Sequence, residues 1–173
     1  MILAAWSLAS CNPAARHAAG PVPEPEQEIS AGMKELYMNA SMAAPQSPAQ
    51  QKIILRMAQK ASSGKELLLT MRASVGVFPA TGDPREQNVG SQVRALVTVK
   101  MMEFGTLDQL MDYATEYPVD PVRARAFVQR MFELGNGNAD PRSWYRIRVA
   151  AVRLNVGDLE RQAQTKGDQL AGR

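Results

Sequence analysis

The chain has 173 residues, enough for one domain and a tail, with 45% hydrophobic and 21% charged residues. That balance is too apolar for a disordered chain and lets a body of this size build a core without disulfides or metals. The net charge of +3 comes from 20 basic and 17 acidic residues and gives no reason to expect nucleic acid, whose binders concentrate charge on one face. Cys11 is the single cysteine and His17 the single histidine. An intramolecular disulfide and a Cys/His zinc site are thereby excluded. Any Ser–His or Cys–His couple would have to use His17, in a Pro/Ala-rich stretch that offers no packing to hold a base beside a nucleophile.

In chain order, residues 1–10 are uncharged, mostly apolar and signal-like, and end in Leu8-Ala9-Ser10-Cys11. This resembles the lipobox of bacterial lipoproteins, an aliphatic residue and two small ones before a cysteine. The basic opening of a full signal segment is not among these ten residues. The resemblance implies that Cys11 carries lipid, palmitate among its acyl chains, after cleavage of the signal before it. Asn12, where enteric lipoproteins of the inner membrane carry aspartate, implies the outer membrane, with the body on its periplasmic face. Two or three acyl chains, at about 0.8 kcal/mol per buried methylene, hold a protein to a bilayer durably. Residues 11–28 read as a disordered Pro/Ala-rich tether, with Pro21-Val22-Pro23-Glu24-Pro25 extended.

Residues 29–173 form the expected folded domain, punctuated by helix starts. A helix leaves its first amides unpaired, so Ser, Thr or Asp accepts at the N-cap and Glu or Gln three residues on answers it. Ser47–Gln50, Ser63–Glu66, Asp83–Glu86 and Thr106–Gln109 have that spacing, and Asp-Pro recurs at 83–84, 120–121 and 140–141. With Ser30 and Asp158 as plainer caps, about eight helices follow, roughly 30–43, 47–62, 63–78, 84–104, 106–117, 120–134, 140–155 and 158–170. Gly105, Gly135 and Gly157 stand where a left-handed residue would stop a helix. Apolar stripes support the later helices: Leu107, Leu110, Met111, Ala114 and Tyr117 in one, then Ala124, Phe127, Val128, Met131 and Leu134 in the next. The valine-rich runs in 84–104 and 140–155 also admit a strand reading. A match of 94–107 with 146–159 at a constant offset of 52 favours helix and suggests a two-copy repeat of stacked αα-hairpins in an all-α fold.

Few residues suggest chemistry. Arg142, Arg146 and Arg153 share one helical face, either solvated or a contact for an anionic partner. Arg148 projects to the apolar side of that helix, where a guanidinium, always charged, needs a carboxylate or several carbonyls; the acidic face around Asp108 and Asp112 is one source, unless Arg148 only snorkels to water. Asp108, Asp112 and Glu116 form an acidic stripe better suited to pairing with arginines than to metal. Methionines such as Met57, Met71, Met111 and Met131 lie at core spacing. The chain therefore reads as a lipid-anchored binding, assembly or adaptor component of an envelope apparatus such as a secretion or conjugation system. It is expected to have no catalytic residues, metal, cofactor or small-molecule substrate. Two alternatives stay open: a periplasmic inhibitor or immunity lipoprotein, and, if the lipobox is accidental, a cytoplasmic helical regulator binding nucleic acid.

Overall fold

The structure, a computed structural model, describes residues 28–78 and 84–172, with only the backbone for 84–88. The described residues form eight α-helices and no strand. They are α1 (Ala31–Met42), α2 (Pro48–Lys60), α3 (Gly64–Ser74), α4 (Pro84–Phe104), α5 (Leu107–Glu116), α6 (Ala124–Gly135), α7 (Pro141–Arg153) and α8 (Gly157–Leu170). A single 3₁₀ turn, Pro121–Arg123, leads into α6. The valine-rich segments are thus helical: the buried stripe is Val93, Val97 and Met101 in α4, and Trp144, Ile147, Ala150 and Ala151 in α7, where Val149 and Val152 face out. The lipobox, the tether to Gln27 and the Asp83–Glu86 cap lie outside the described residues or side chains.

Most helix starts follow the cap chemistry. Ser30, Ser47, Ser63 and Thr106 accept the amides of Met33, Gln50, Glu66 and Gln109. Asp120 and Asp140 accept from Val122 and Arg142. Among the described residues, only at Thr106 does the reciprocal bond form as the box prescribes. Gln50 turns to the Gln46 amide and the Ala40 carbonyl. Glu66 reaches out of its helix to Ser62 and across to Ser30. Asp158 does not cap α8: Val156 precedes that helix and supplies no side-chain bond.

The glycine stops need correction too. The left-handed residue between α7 and α8 is Asn155, with φ 57°, and Gly157 instead opens α8. Gly135 is the last residue of α6. Gly105 is required for close approach: a Cβ there would lie 2.5 Å from Leu110 Cδ1 and 2.6 Å from the Met101 carbonyl oxygen. The helix end and the start of α5 therefore meet with no room for a side chain.

Two groups of helices share one core. In the first, α1 packs on α2 and α3, and α4 lies across α2 and α3; in the second, α5 and α6 pack on α7, and α7 pairs closely with α8. Contacts of α5 with α3 and of α6 with α4 join them. Met57, Met111, Phe127, Met131 and Ile147 are fully buried, so the methionines at core spacing fill the core, as does Met71. The α7–α8 hairpin closes tightly because Gly167 has no Cβ, one there standing 2.9 Å from Tyr145 Cε1, while the Tyr145 hydroxyl donates to Asp168 at 2.8 Å. The sequence echo at 94–107 and 146–159 gives a helix, a turn and a helix in both places but not a repeat in space. Helices α4 and α5 diverge to different neighbours, whereas α7 and α8 lie along each other.

Candidate functional site

Helix α7 sets the geometry of the surface. Trp144, Ile147, Ala150 and Ala151 anchor it in the core. That leaves Arg142, Arg146, Val149, Val152 and Arg153 on an exposed outer ridge flanked by α5 and α8. Four of the thirteen residues of α7 are arginine and none is acidic. The three arginines expected on one face differ in their partners. Arg146 is engaged within the fold: Nη1 donates to Asp108 at 2.7 Å and Nη2 to Asp112 at 2.8 Å, forking across two turns of α5. Two of the three acids of the stripe, Asp108 and Asp112, thus pair with arginine. Arg142 and Arg153 form no ion pair among the described residues.

Arg148 departs from the expectation of burial beside Asp108 and Asp112. Its side chain is 44% exposed and its Nε lies 3.6 Å from Glu160 of α8. The reason is the position of α8, which occupies that side of α7 and supplies a carboxylate at the solvent edge. Asp108 and Asp112 belong to the opposite flank and are taken by Arg146.

Arg153 also stands at the rim of a cleft of about 680 Å³ between the segment from Tyr117 to Arg125 and the α7–α8 turn. Tyr117, Val119 and Val156, each less than a tenth exposed, form its apolar floor. Arg125, Arg153, Asn155 and Asp158 stand around it. Arg125 donates to both oxygens of Asp158, at 2.9 and 2.5 Å, across the two walls. The hydrogen bonds from Arg125 hold the Asp158 carboxyl below its usual range. The wall beside Tyr117 is fixed by a buried relay. The Asp120 amide donates to Thr98 Oγ1 at 3.1 Å, Thr98 and Tyr113 hydroxyls lie 3.2 Å apart, and the Tyr113 hydroxyl donates to the Pro118 carbonyl at 3.4 Å. Because the Tyr113 hydroxyl gives its one proton to Pro118, Thr98 is the donor to Tyr113. Burial pushes the Tyr113 phenol up to about 12, so it stays protonated and structural.

Elsewhere, Glu66 is the most enclosed carboxylate among the described residues. Its Oε1 accepts the Ser30 amide at 3.0 Å and the Ser30 hydroxyl at 2.6 Å; its Oε2 accepts the Ser62 amide at 2.9 Å and hydroxyl at 3.2 Å. Every acceptor position is used to tie the start of α1 to the α2–α3 turn. Among the described residues no three His, Cys, Asp or Glu side chains converge as a metal-binding group, and no helix is long and apolar enough to cross a membrane. Sequence reasoning did not find the cleft or the role of Arg125. The local signal was Asn155, a residue type that tolerates left-handed backbone, two positions before Gly157. Compared with known proteins, the chain matches no family model, no curated protein and no solved structure.

Proposed function

We propose that this chain is a lipid-anchored envelope protein, held by acyl chains on Cys11, whose helical body binds a protein partner and catalyses nothing. The observation that carries the binding role is the outer ridge of α7, where Arg142 and Arg153 project without carboxylate partners on either side of exposed Val149. An unpaired guanidinium offers a planar fork for carboxylates, and a helix face with a valine between two such forks suits a protein surface. The anchor rests on Leu8-Ala9-Ser10-Cys11 and the proline-rich stretch behind it. An adaptor role in an envelope assembly suits a body tethered to a membrane.

Two measurements test this reading. Membrane fractionation of the native protein and of Cys11→Ser should move the variant alone into the soluble fraction; equal partitioning of both refutes the anchor. Affinity capture from envelope extracts with the full chain should recover a partner that is lost with Arg142→Glu and Arg153→Glu together. Arg146 is left in place because it holds α5 to α7. Capture that survives the double change puts the interface elsewhere, and turnover of a peptidoglycan or ester substrate dependent on an Asp or Glu overturns the reading.

A further inference from the structure

We propose that the cleft beside the α7–α8 turn, together with the α7 ridge, seats one extended acidic segment of the protein partner, with carboxylates at Arg153 and Arg142 and an aliphatic side chain on the Tyr117, Val119 and Val156 floor. This rests on the binding role proposed above and names where and what the body binds. The cleft is the right size: specific sites for small groups span roughly 300–1,000 Å³, and its volume is about 680 Å³. Its floor is apolar and its rim is not, which is the division of labour expected where apolar groups provide affinity and a few polar groups fix orientation.

Charge selects an anion. Asp158, the one acidic residue lining the cleft, is already satisfied by both guanidinium nitrogens of Arg125, leaving Arg153 as the uncompensated charge. Distance selects an extended chain over a small molecule. Arg142 and Arg153 are separated by eleven residues of helix, about 16 Å at 1.5 Å per residue. An extended strand covers that in about five residues at 3.3 Å each. Val149, 56% exposed, lies between them and meets an apolar side chain on the way. The matching segment therefore carries acidic residues about four to six apart on one face of the strand, an aliphatic residue between them, and another at the Arg153 end. The exposed Arg125–Asp158 pair is a gate on that end: a ligand carboxylate competes with Asp158 for Arg125.

The test uses the full chain and a fluorescent, end-blocked peptide, Glu-Leu-Glu-Ser-Val-Ser-Glu-Leu-Glu, with its Gln-for-Glu counterpart as control. Fluorescence anisotropy should show saturable binding that weakens about tenfold for the Gln peptide and about tenfold for Arg153→Glu, the loss expected for a charged rim contact. Asp158→Asn, which frees Arg125, should bind the acidic peptide more tightly, and amide shifts in nuclear magnetic resonance should map to Val119, Asn155 and Gly157. Equal binding of the two peptides, or a footprint away from the cleft, overturns the proposal. So does tighter, Arg153-dependent binding of a short single-stranded DNA. Failure here is separable from failure of the broader role: if captured envelope protein still depends on Arg142 and Arg153 while the peptide does not bind, the cleft assignment falls alone.

Discussion

Replacing Glu66 tests whether its carboxylate is the clasp that holds α1 to the rest of the domain. Burial alone pushes this carboxyl up, but hydrogen bonds from Ser30 and Ser62 outweigh it and hold the group below its ordinary 4.5. Glu66→Ala strands four donors. The two hydroxyls can turn to other acceptors or water, while the Ser30 and Ser62 amides are fixed by backbone. Two hydrogen bonds to a charged acceptor, at about 1.5 kcal/mol each, give a loss of about 3 kcal/mol. For a domain of this size that lowers Tm by roughly 10 °C. Glu66→Gln keeps one acceptor oxygen and turns an amide group toward a donor, so it should lose about 2 kcal/mol. The pH dependence has a definite sign. Because the folded carboxyl is the more acidic, its contribution is present above the unfolded value near 4.5 and disappears as pH falls through the folded value. The stability gap between wild type and Glu66→Gln should therefore narrow on acidification below about pH 5. Urea denaturation at pH 7 and at pH 3.5 measures both effects, with exposed Glu35→Ala as the control. A loss below about 1 kcal/mol for Glu66→Ala, or a gap that widens in acid, refutes the reasoning. Local hydrogen exchange should rise first in α1, since the clasp sits at its N-cap.

Gly105→Ala forces a methyl into the space between Met101 and Leu110 and should cost about 2 kcal/mol in chemical denaturation; an unchanged midpoint would show that the turn relaxes freely. Arg148→Ala should cost less than about 1 kcal/mol, because its 3.6 Å pairing with Glu160 is at the solvent edge; a loss of 3 kcal/mol would restore the buried pair. Tyr113→Phe removes the middle of the relay and should cost about 1 kcal/mol at pH 7. The Tyr113 phenol is raised to about 12, so its contribution is complete below pH 10 and is lost as pH rises through 12. The Phe variant should lack that alkaline slope, and equal alkaline curves would refute the assignment.

Helix number and helix starts were legible in the residues because capping is local. Ser63 accepts the amide of Glu66 through a bond set by three residues of spacing, and Asp-Pro pairs fix their own backbone. The apolar stripes of α5 and α6 were legible for the same reason, since burial of Leu110, Met111, Phe127 and Met131 follows from helical period alone. The pairing of Asp108 and Asp112 with an arginine was also within reach, because an acidic and a basic face of two packed amphipathic helices meet at their edges. Which arginine they meet was not. Arg146 and Arg148 differ by two positions, and only the placement of α5 on one flank of α7 and α8 on the other assigns the first to Asp108 and Asp112 and the second to Glu160. The same holds for the matched segments 94–107 and 146–159. Local sequence makes a helix, a turn and a helix of each, but the angle leaving the turn depends on what the second helix packs against. At Asn155 the left-handed turn folds α8 back onto α7, with Gly167 admitting Tyr145; at Gly105 the chain passes so close to Leu110 and Met101 that α5 leaves toward α3, α6 and α7. The cleft is the product of that difference. Its walls, Tyr117 to Arg125 and Arg153 to Asp158, are separated in sequence and brought together only when the second group of helices closes. Short-range hydrogen bonding and helical period decided the elements; long-range packing decided which charged groups were consumed in ion pairs and which stayed exposed at the surface.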